Sequence, residues 1–380
     1  MSLLRFSLWL LRMKIYYRHT VAERGGFGIL GKGIFAALKA DPRFEVIGYN
    51  DEFFSNEQPD IVMTYGMPDL VDVVKNAPKW KRSPTKFHEW SKHWKRKEIK
   101  FVHYAVWESS DLPWEFAREY AKVDLLLTAS RYTKKAMAAR HLKARVWHHA
   151  VDDRFIEFQR PIKDKDAPFV FLHHNAYEFR KGWEIVLQAF LKEFKTDENV
   201  KLIMKARERK QSVWLLPRIT LRESQLDEWR ANPQAFINTK LSLNHPLIEE
   251  VIGHVSDEEM VRINSEADCF LFPAKGEGWG LPPFEAMAMG IVPILPNQGS
   301  FREWFDPDTM LNVNISGWFN SAPRYAGVMF YPSELSLRRQ MRWAFENRDK
   351  IKAMGELGRE RIAKKYNWRT IIDDLYILLS

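Results

Sequence analysis

The sequence is poor in cysteine and has no long apolar run. Its single cysteine, Cys269, excludes an internal disulfide and any zinc cluster that needs several thiolates. No uninterrupted stretch of about 18 apolar residues occurs, so we expect no transmembrane helix. Residues 1–12 are short, basic and apolar without the cleavage site of a secretory signal. They are either an interfacial anchor or an extension upstream of the first strand. We expect a cytoplasmic protein.

Positive charge exceeds negative charge. The 380 residues carry a formal net charge of +9, with 46% hydrophobic and 28% charged residues. This composition is typical of a globular protein, and the length predicts two domains. The surplus favours anionic partners, namely nucleotide diphosphates, acidic membrane surfaces or nucleic acid. Part of it lies in residues 79–100, where basic residues alternate with Trp80, Trp90 and Trp94. A membrane-surface patch, a nucleic-acid patch and a solvated loop with aromatic anchors all stay open.

Two series of short apolar segments alternate with amphipathic segments. This alternation predicts βα units and a parallel sheet in each half of the chain. A polar stretch at 162–168 separates the two series and is typical of a linker. Residues 207–243 fit the alternation poorly and indicate an insertion. The predicted strands are at residues 13–19, 44–49, 60–65, 101–107 and 124–129, then 169–173, 200–205, 269–273 and 291–295; the predicted helices include 34–40, 183–194, 257–267 with Ser256 as N-cap, and 283–289.

A glycine-rich turn, Gly25-Gly26-Phe27-Gly28, stands between the first strand and the first helix. Glycines at such a place let backbone N–H groups approach a phosphate, and a helix N-terminus favours negative charge. The spacing is not that of the dinucleotide fingerprint. A phosphate site and a simple tight turn are equally good interpretations of this segment alone.

The segment 275–290, KGEGWGLPPFEAMAMG, is more informative. Glu277 lies in a glycine-rich loop after a strand, and Glu285 follows in what we expect to be the first turn of the next helix. Both carboxylates are therefore predicted at the carboxyl end of a parallel sheet, where open α/β sheets bind ligands. Carboxylates accept hydrogen bonds from sugar and ribose hydroxyls. The glycines at 276, 278 and 280 would let backbone amides close on that ligand.

This paired-glutamate segment resembles the signature of retaining glycosyltransferases of the GT-B fold, family four, also called glycosyl transferases group one. The resemblance covers most of the chain from Met13 onward, except residues 75–100 and 207–243. Other matching segments are Arg180-Lys181-Gly182, Gly253-His254-Val255-Ser256, the turn at Gly25–Gly28, Ala150-Val151-Asp152 and the closing helix at 366–379.

The resemblance implies an α/β protein of the GT-B fold, with two Rossmann-like domains whose parallel sheets face each other across a cleft. We place an acceptor-side domain at residues 1–161 and a nucleotide-sugar-binding domain at 168–365. Residues 366–380 would form a helix that packs back on the N-terminal domain.

The resemblance also implies roles for individual residues. Glu285 would hold the ribose hydroxyls, Glu277 would contact the donor sugar and Lys181 would contact the diphosphate. The family usually has an arginine shortly before that lysine, where this chain has Asn175-Ala176, so Arg180 or Lys205 would supply the charge. For a catalytic group near the sugar, His103 and Glu108 stay open. The remaining donor-binding candidates are Gly25, Gly26, Gly28, Gly278, Trp279, Gly280 and Leu281.

The sequence therefore predicts a metal-independent, hexosyltransferase-like enzyme with no cofactor beyond its nucleotide diphosphate sugar. Asp164-Lys165-Asp166 and Asp306-Pro307-Asp308 are interpreted as turns, not metal ligands. The main alternative is a nucleotide-sugar-binding protein of the same fold without turnover. A sugar phosphorylase is a further alternative. A nucleic-acid-binding module that uses the basic residues of 79–100 is another, and it would require an affinity for polyanions that falls steeply with salt. The acceptor is not predicted, and an anionic membrane surface stays a candidate partner.

Overall fold

A computed structural model describes residues 12–19, 26–66, 95–206, 246–321 and 325–380. The chain divides into two compact units. Unit 1 consists of residues 1–152, 321–328 and 365–380, and unit 2 of residues 153–320 and 329–364. Residues 207–243, the expected insertion, and most of the basic stretch at 79–100 lie outside the described residues. Within the described residues, no helix is long and apolar enough to cross a membrane.

Unit 1 is built on a seven-stranded sheet with strand order β3-β2-β1-β4-β5-β6-β7. All neighbouring strands are parallel except β3, which pairs antiparallel with β2. The elements are β1 (Met13–His19), α1 (Gly26–Ala40), β2 (Phe44–Tyr49), β3 (Glu52–Phe53), β4 (Ile61–Tyr65), a 3₁₀ turn (Arg96–Glu98), β5 (Lys100–Ala105), α2 (Trp114–Tyr120), β6 (Leu125–Thr128), α3 (Arg131–Ala138) and β7 (Ala144–Val146).

Unit 2 contains a six-stranded sheet, entirely parallel, with strand order β10-β9-β8-β11-β12-β13. The elements in chain order are α4 (Asp153–Glu157), β8 (Phe169–His174), a 3₁₀ turn (Phe179–Lys181), α5 (Trp183–Glu193), β9 (Val200–Ala206), β10 (Ile248–Ile252), α6 (Asp257–Ser265), β11 (Cys269–Leu271), α7 (Leu281–Ala288), β12 (Val292–Leu295), a 3₁₀ turn (Gly299–Glu303), β13 (Leu311–Asn312), β14 (Ile315–Asn320), β15 (Val328–Pro332), α8 (Glu334–Glu346) and α9 (Arg348–Lys365). β14 and β15 pair as a separate two-stranded ribbon.

The strands are near-continuous apolar runs because helices cover both faces of a parallel sheet. Every residue of β4 is buried, and five of the six residues of β8 are buried. Four helices, α3, α6, α8 and the C-terminal helix at Trp368–Leu379, begin where a serine or asparagine side chain accepts a hydrogen bond from an N–H group of the first turn. Ser256 caps α6 by accepting a hydrogen bond from the backbone N–H of Glu259, as the sequence predicts.

The last helix, α10 (Trp368–Leu379), is part of unit 1 although it follows unit 2 in the chain. Its Ile371 carbonyl accepts a hydrogen bond of 2.8 Å from the indole N–H of Trp147. Its Trp368 ring lies so close to α1 that a Cβ at Gly33 would come within 2.3 Å of it. α10 is therefore held to unit 1 by side-chain packing and by a buried hydrogen bond.

The stretch interpreted as a linker is attached to unit 2. Just before it, Arg160 donates to the carbonyl of Gly290 over 3.1 Å. Within it, Lys163 pairs with Asp268 over 2.7 Å. The two compact units divide upstream of this stretch, between Asp152 and Asp153.

Two details of the sequence prediction are wrong. α1 begins at Gly26, so Gly26 and Gly28 lie in its first turn and not in a loop before a helix at residue 34. α7 begins at Leu281, so Glu285 lies in the second turn of that helix, not the first. The physical reason is the same in both places, because glycine and proline at these positions do not prevent a helix from beginning. Proline is tolerated in the first turn of a helix, and tertiary packing overrides the weak helix propensity of glycine.

Candidate functional site

The strand order of unit 2 reverses between β8 and β11. From β8 the chain continues to β9 on one side, and β11 returns on the other side. In open parallel sheets, ligands bind outside the carboxyl ends of the strands at such a switch point. The segments that leave β8 and β11 at this edge are residues 175–182 and 272–280. They carry most of the predicted donor-binding residues of unit 2.

Three charged side chains meet at this switch point. The Oε1 atom of Glu277 accepts a hydrogen bond of 2.7 Å from Arg180 and one of 2.6 Å from the Nζ atom of Lys181. Arg180 also donates to the carbonyl of Gly276 over 2.8 Å. All three side chains are largely buried, with exposed fractions of 13% for each cation and 8% for Glu277. The cluster holds two positive charges and one negative charge, so its net charge attracts an anion.

Burial and charge act in opposite directions on these groups. Burial raises the pKa of Glu277, but the positive charges of Arg180 and Lys181 outweigh burial, so the pKa lies below its ordinary value. Burial and the neighbouring Arg180 lower the pKa of Lys181, while Glu277 opposes them. An incoming phosphate group would favour the charged form of Lys181.

Two glycines shape the backbone around the cluster. Gly182 has a φ of +71°, and a Cβ there would lie 2.1 Å from the carbonyl oxygen of Pro273. Gly280 has a φ of +92°, and a Cβ there would lie 2.7 Å from the Phe301 ring. Only glycine fits such backbone at such close approach. Each glycine directly precedes a helix, α5 or α7, whose N-terminal N–H groups open towards this edge of the sheet.

The other predicted residues of the 272–290 segment differ in exposure. Glu285 is half-buried on α7, and Leu281, the first residue of that helix, is also half-buried. Trp279 is 2% exposed, and its ring packs edge-on against Phe284 with centroids 5.2 Å apart. A contact from Trp279 or the buried Gly278 to a ligand would therefore come from the backbone.

The residues expected to replace the missing arginine lie in two different environments. Arg180 belongs to the cluster. Lys205, at the end of β9, is 2% exposed and donates to the carbonyl of Gly253 over 2.7 Å. Asn175 lies in the segment where the resemblance predicts an arginine. Its Nδ2 group is buried and has no hydrogen-bond partner among the described residues.

Lys275 is a charged residue of this edge that the sequence analysis did not single out. Its side chain is fully buried, and its Nζ atom donates to the carbonyl of Phe179 over 2.7 Å and to the carboxylate of Glu184. A lysine beside a ligand-binding motif is a weak sequence signal. Its partner lies 91 residues away, so only the fold reveals the pair.

Of the predicted residues of unit 1 that the structure describes, all but one lie near the carboxyl edge of its sheet. Gly26 and Gly28 lie at the N-terminus of α1 directly after β1, next to the switch point between β1 and β4. Gly25 lies outside the described residues. Glu108 is half-buried, follows β5, and its charge raises the pKa of Tyr65 further, after burial as the main cause.

His103 is the exception because it lies in the core of unit 1. It is fully buried within β5, its Nδ1 atom lies 2.7 Å from the Thr64 hydroxyl, and its ring stacks on Tyr120. Burial lowers its pKa to about 3. A neutral, enclosed imidazole has no path to a substrate, so this environment favours Glu108 of the two candidates.

The two aspartate triplets form turns, as interpreted from the sequence. The Asp164 carboxylate accepts from the backbone N–H of Asp166 over 2.9 Å. The Asp306 carboxylate accepts from the backbone N–H of Asp308 over 3.1 Å and pairs with Arg361 over 2.8 Å. These carboxylates are used in turn formation.

Comparison with known proteins matches the segment that carries Glu277 and Glu285, but not the segment that carries Arg180 and Lys181. Residues 239–361 match the family of glycosyl transferases group 1. The match covers 123 of the 380 residues, so this segment is similar to that family. A protein of the Sulfolobus islandicus filamentous virus, provisionally named glycosyltransferase 41, is 43% identical over 49 residues. That match covers 13% of this chain and only 15% of the viral protein.

Solved structures extend the likeness in fold to the whole length of the chain. A glycosyltransferase from Rickettsia africae has a TM-score of 0.61 at 13% identity, with 96% of this chain and 97% of that chain covered. Anabaena HepE, solved in complex with UDP and glucose, has a TM-score of 0.62 at 11% identity, with 97% and 99% covered. Sucrose-phosphate synthase from Thermosynechococcus elongatus has a TM-score of 0.61 at 14% identity, with 97% and 99% covered. The GT-B fold predicted from the sequence is confirmed.

Proposed function

We propose that this protein is a retaining, family-four glycosyltransferase that moves a hexose from a nucleotide diphosphate sugar to a hydroxyl acceptor. The observation that carries the proposal is the Arg180–Glu277–Lys181 cluster at the switch point between β8 and β11. A diphosphate needs concentrated positive charge, and a sugar needs a carboxylate beside it. This cluster offers both within hydrogen-bond distance of one another.

In this proposal the two charge types have separate roles. Arg180 and Lys181 bind the diphosphate and stabilise the negative charge that develops on it as the sugar leaves. Glu277 orients the donor sugar, and Glu285 accepts hydrogen bonds from the ribose hydroxyls. Within unit 1 taken by itself, the N-terminus of α1 with Gly26 and Gly28 offers N–H groups that favour an anion. Because protein groups neutralise the diphosphate, the proposal includes no metal ion.

UDP-sugars are the first donors to test, since Anabaena HepE was solved with UDP-glucose. A set of UDP-, GDP- and ADP-sugars is screened for thermal stabilisation, because a ligand of the folded state raises its apparent stability. Donors that stabilise the protein are then incubated with candidate acceptors, and NMR determines the anomeric configuration of the product. Retention of configuration supports the proposal, and inversion contradicts the retaining mechanism. Tight binding with neither hydrolysis nor transfer across the acceptor set indicates a nucleotide-sugar-binding protein instead.

A further inference from the structure

Lys275 is a fully buried cation that the proposed mechanism does not use. Its Nζ atom lies 3.9 Å from the centroid of the Phe179 ring and 5.1 Å from that of Tyr331. Together with the Phe179 carbonyl and the Glu184 carboxylate, these rings surround the ammonium group. A charge removed from water is tolerated only when it is paired and hydrogen-bonded, as this one is.

The main chain of Lys275 is attached to the same structural elements. Its backbone N–H donates to the carbonyl of Arg180 over 2.8 Å, and its carbonyl accepts from the N–H of Phe330 over 3.1 Å. The side chain binds the beginning of the 3₁₀ turn at Phe179 and the first turn of α5 at Glu184. Lys275 thus connects the segment after β11 to both ends of the segment that presents Arg180 and Lys181.

We propose that Lys275, through its pairing with Glu184, is a positioning residue that holds the turn 179–181 in register with Glu277. Glu277 lies two residues after Lys275 in the chain, so one short segment both anchors the turn and supplies its counter-charge. Lys275 is fully buried, so it acts on the donor only through Arg180 and Lys181. This inference rests on the proposed function for its consequence in donor binding, but the placement of the turn is testable without a donor.

Removing the ammonium group would leave two buried hydrogen-bond acceptors without a donor, which lowers the stability of the folded protein. The Phe179 carbonyl and the Glu184 carboxylate would both lose their partner, and the Oε2 atom of Glu184 already has none among the described residues. Buried acceptors without donors are unfavourable. We expect the turn to shift until water reaches them, which separates Lys181 from Glu277.

The experiment compares the variants Lys275→Met and Lys163→Met with the wild type. Lys163 is a matched control because it also pairs with a carboxylate in unit 2, that of Asp268, but lies away from the turn. The first readout is the rate of Lys181 acetylation by an amine-reactive ester, measured by peptide mass spectrometry against the exposed Lys352. The second readout is the dissociation constant of UDP, with inorganic pyrophosphate as a base-free probe, measured by calorimetry.

We expect Lys275→Met to raise Lys181 acetylation at least threefold and to weaken UDP and pyrophosphate binding about tenfold, the effect of losing one charge-assisted hydrogen bond. Lys163→Met should change neither readout. If Lys275→Met lowers only the melting temperature, the positioning role is wrong and Lys275 is merely structural. Should Lys275→Met not fold, Glu184→Gln is measured in the same two ways, since it removes the charge but retains an acceptor.

The two readouts separate this inference from the proposed function. If wild-type protein binds neither UDP nor pyrophosphate, the proposed donor site is wrong. The acetylation readout would still decide whether Lys275 holds the turn. Unchanged Lys181 acetylation in a folded variant overturns the inference whatever the result for UDP.

Discussion

Replacing Glu277 by glutamine tests the charge balance of the proposed site. The substitution keeps the shape and an acceptor oxygen, but leaves Arg180 and Lys181 without their shared negative charge. Breaking a buried ion pair by removing one partner costs about 3–5 kcal/mol. Because the amide oxygen still accepts a hydrogen bond, we expect a loss nearer 2–3 kcal/mol. For a unit of about 200 residues, this lowers the melting temperature by roughly 5–10 °C.

The same substitution should affect UDP in the opposite direction. In the proposed site of the wild type, Glu277 would compete with a diphosphate for the two cations. In Glu277→Gln the diphosphate is their only counter-charge, so UDP should bind at least as tightly as in the wild type. Saturating UDP should therefore restore part of the lost melting temperature. Sugar transfer should fall by about a hundredfold or more, because the charged contact to the donor sugar is lost.

Thermal unfolding with and without UDP, calorimetry and a transfer assay measure these three effects. Glu266→Gln is the control, because Glu266 also pairs with an arginine, Arg262, but on the exposed surface of unit 2. Surface pairs contribute little, so this variant should resemble the wild type in all three assays. A folded Glu277→Gln protein that binds UDP more than tenfold weaker refutes the proposed competition.

The pH dependence of stability provides an internal check on the loss of stability expected for Glu277→Gln. The pKa of Glu277 is lowered in the folded state, so its contribution is complete above the pKa of the unfolded chain, about 4.3. The contribution disappears as the pH falls through the lower, folded-state pKa. The difference in stability between wild type and Glu277→Gln should therefore narrow below about pH 4. A difference that stays constant from pH 7 to pH 3 would show that charge is not its cause.

Four further predictions follow from the site, the buried histidine and the basic stretch. Glu285→Ala should weaken nucleotide binding by about 1.5–3 kcal/mol without unfolding the protein, as calorimetry and circular dichroism can establish; unchanged affinity would remove Glu285 from the site. EDTA should leave sugar transfer intact, and activity that disappears with chelator and returns with magnesium or manganese contradicts the role given to the protein cations. In the folded state His103 stays neutral until the pH approaches its lowered pKa of about 3, whereas in the unfolded chain it is protonated below its ordinary pKa of 6.5. The folded state therefore binds fewer protons between these two pH values, and the free energy of unfolding should fall as the pH drops from 6.5 towards 3. His103→Gln should flatten that dependence, measured as urea midpoints against pH, and an equally steep variant would contradict the assignment. The basic stretch at 79–100 should bind anionic vesicles at low salt, and changing the basic residues of 92–97 to glutamate should weaken that binding. If the wild-type protein stays in the supernatant after sedimentation with vesicles at low salt, the stretch is a solvated loop.

Local sequence patterns determined most of the secondary structure. The predicted strands of both units lie within two residues of the observed ones, because parallel strands are apolar on both faces and stand out from their surroundings. No strand is predicted at β3, β7, β10, β13, β14 or β15, which are short or less completely buried. The glycine-rich start of α1 and the double proline in the first turn of α7 misled the assignment of helix boundaries. Tertiary packing determines where α1 begins, and α7 begins at Leu281 because proline is tolerated in the first turn of a helix.

The sequence by itself also determined the candidate residues Glu277, Glu285 and Lys181, since their spacing is a local property that the resemblance makes specific. Only the tertiary structure decided which of them meet. It places Arg180 and Lys181 on a single carboxylate oxygen of Glu277, from segments about a hundred residues apart in the chain. It encloses His103 in a core and pairs Lys275 with Glu184. The physical reason is that the order of strands in a sheet sets which loops share an edge, and burial sets the charge state of a side chain. Neither property is encoded in the residues next to that side chain.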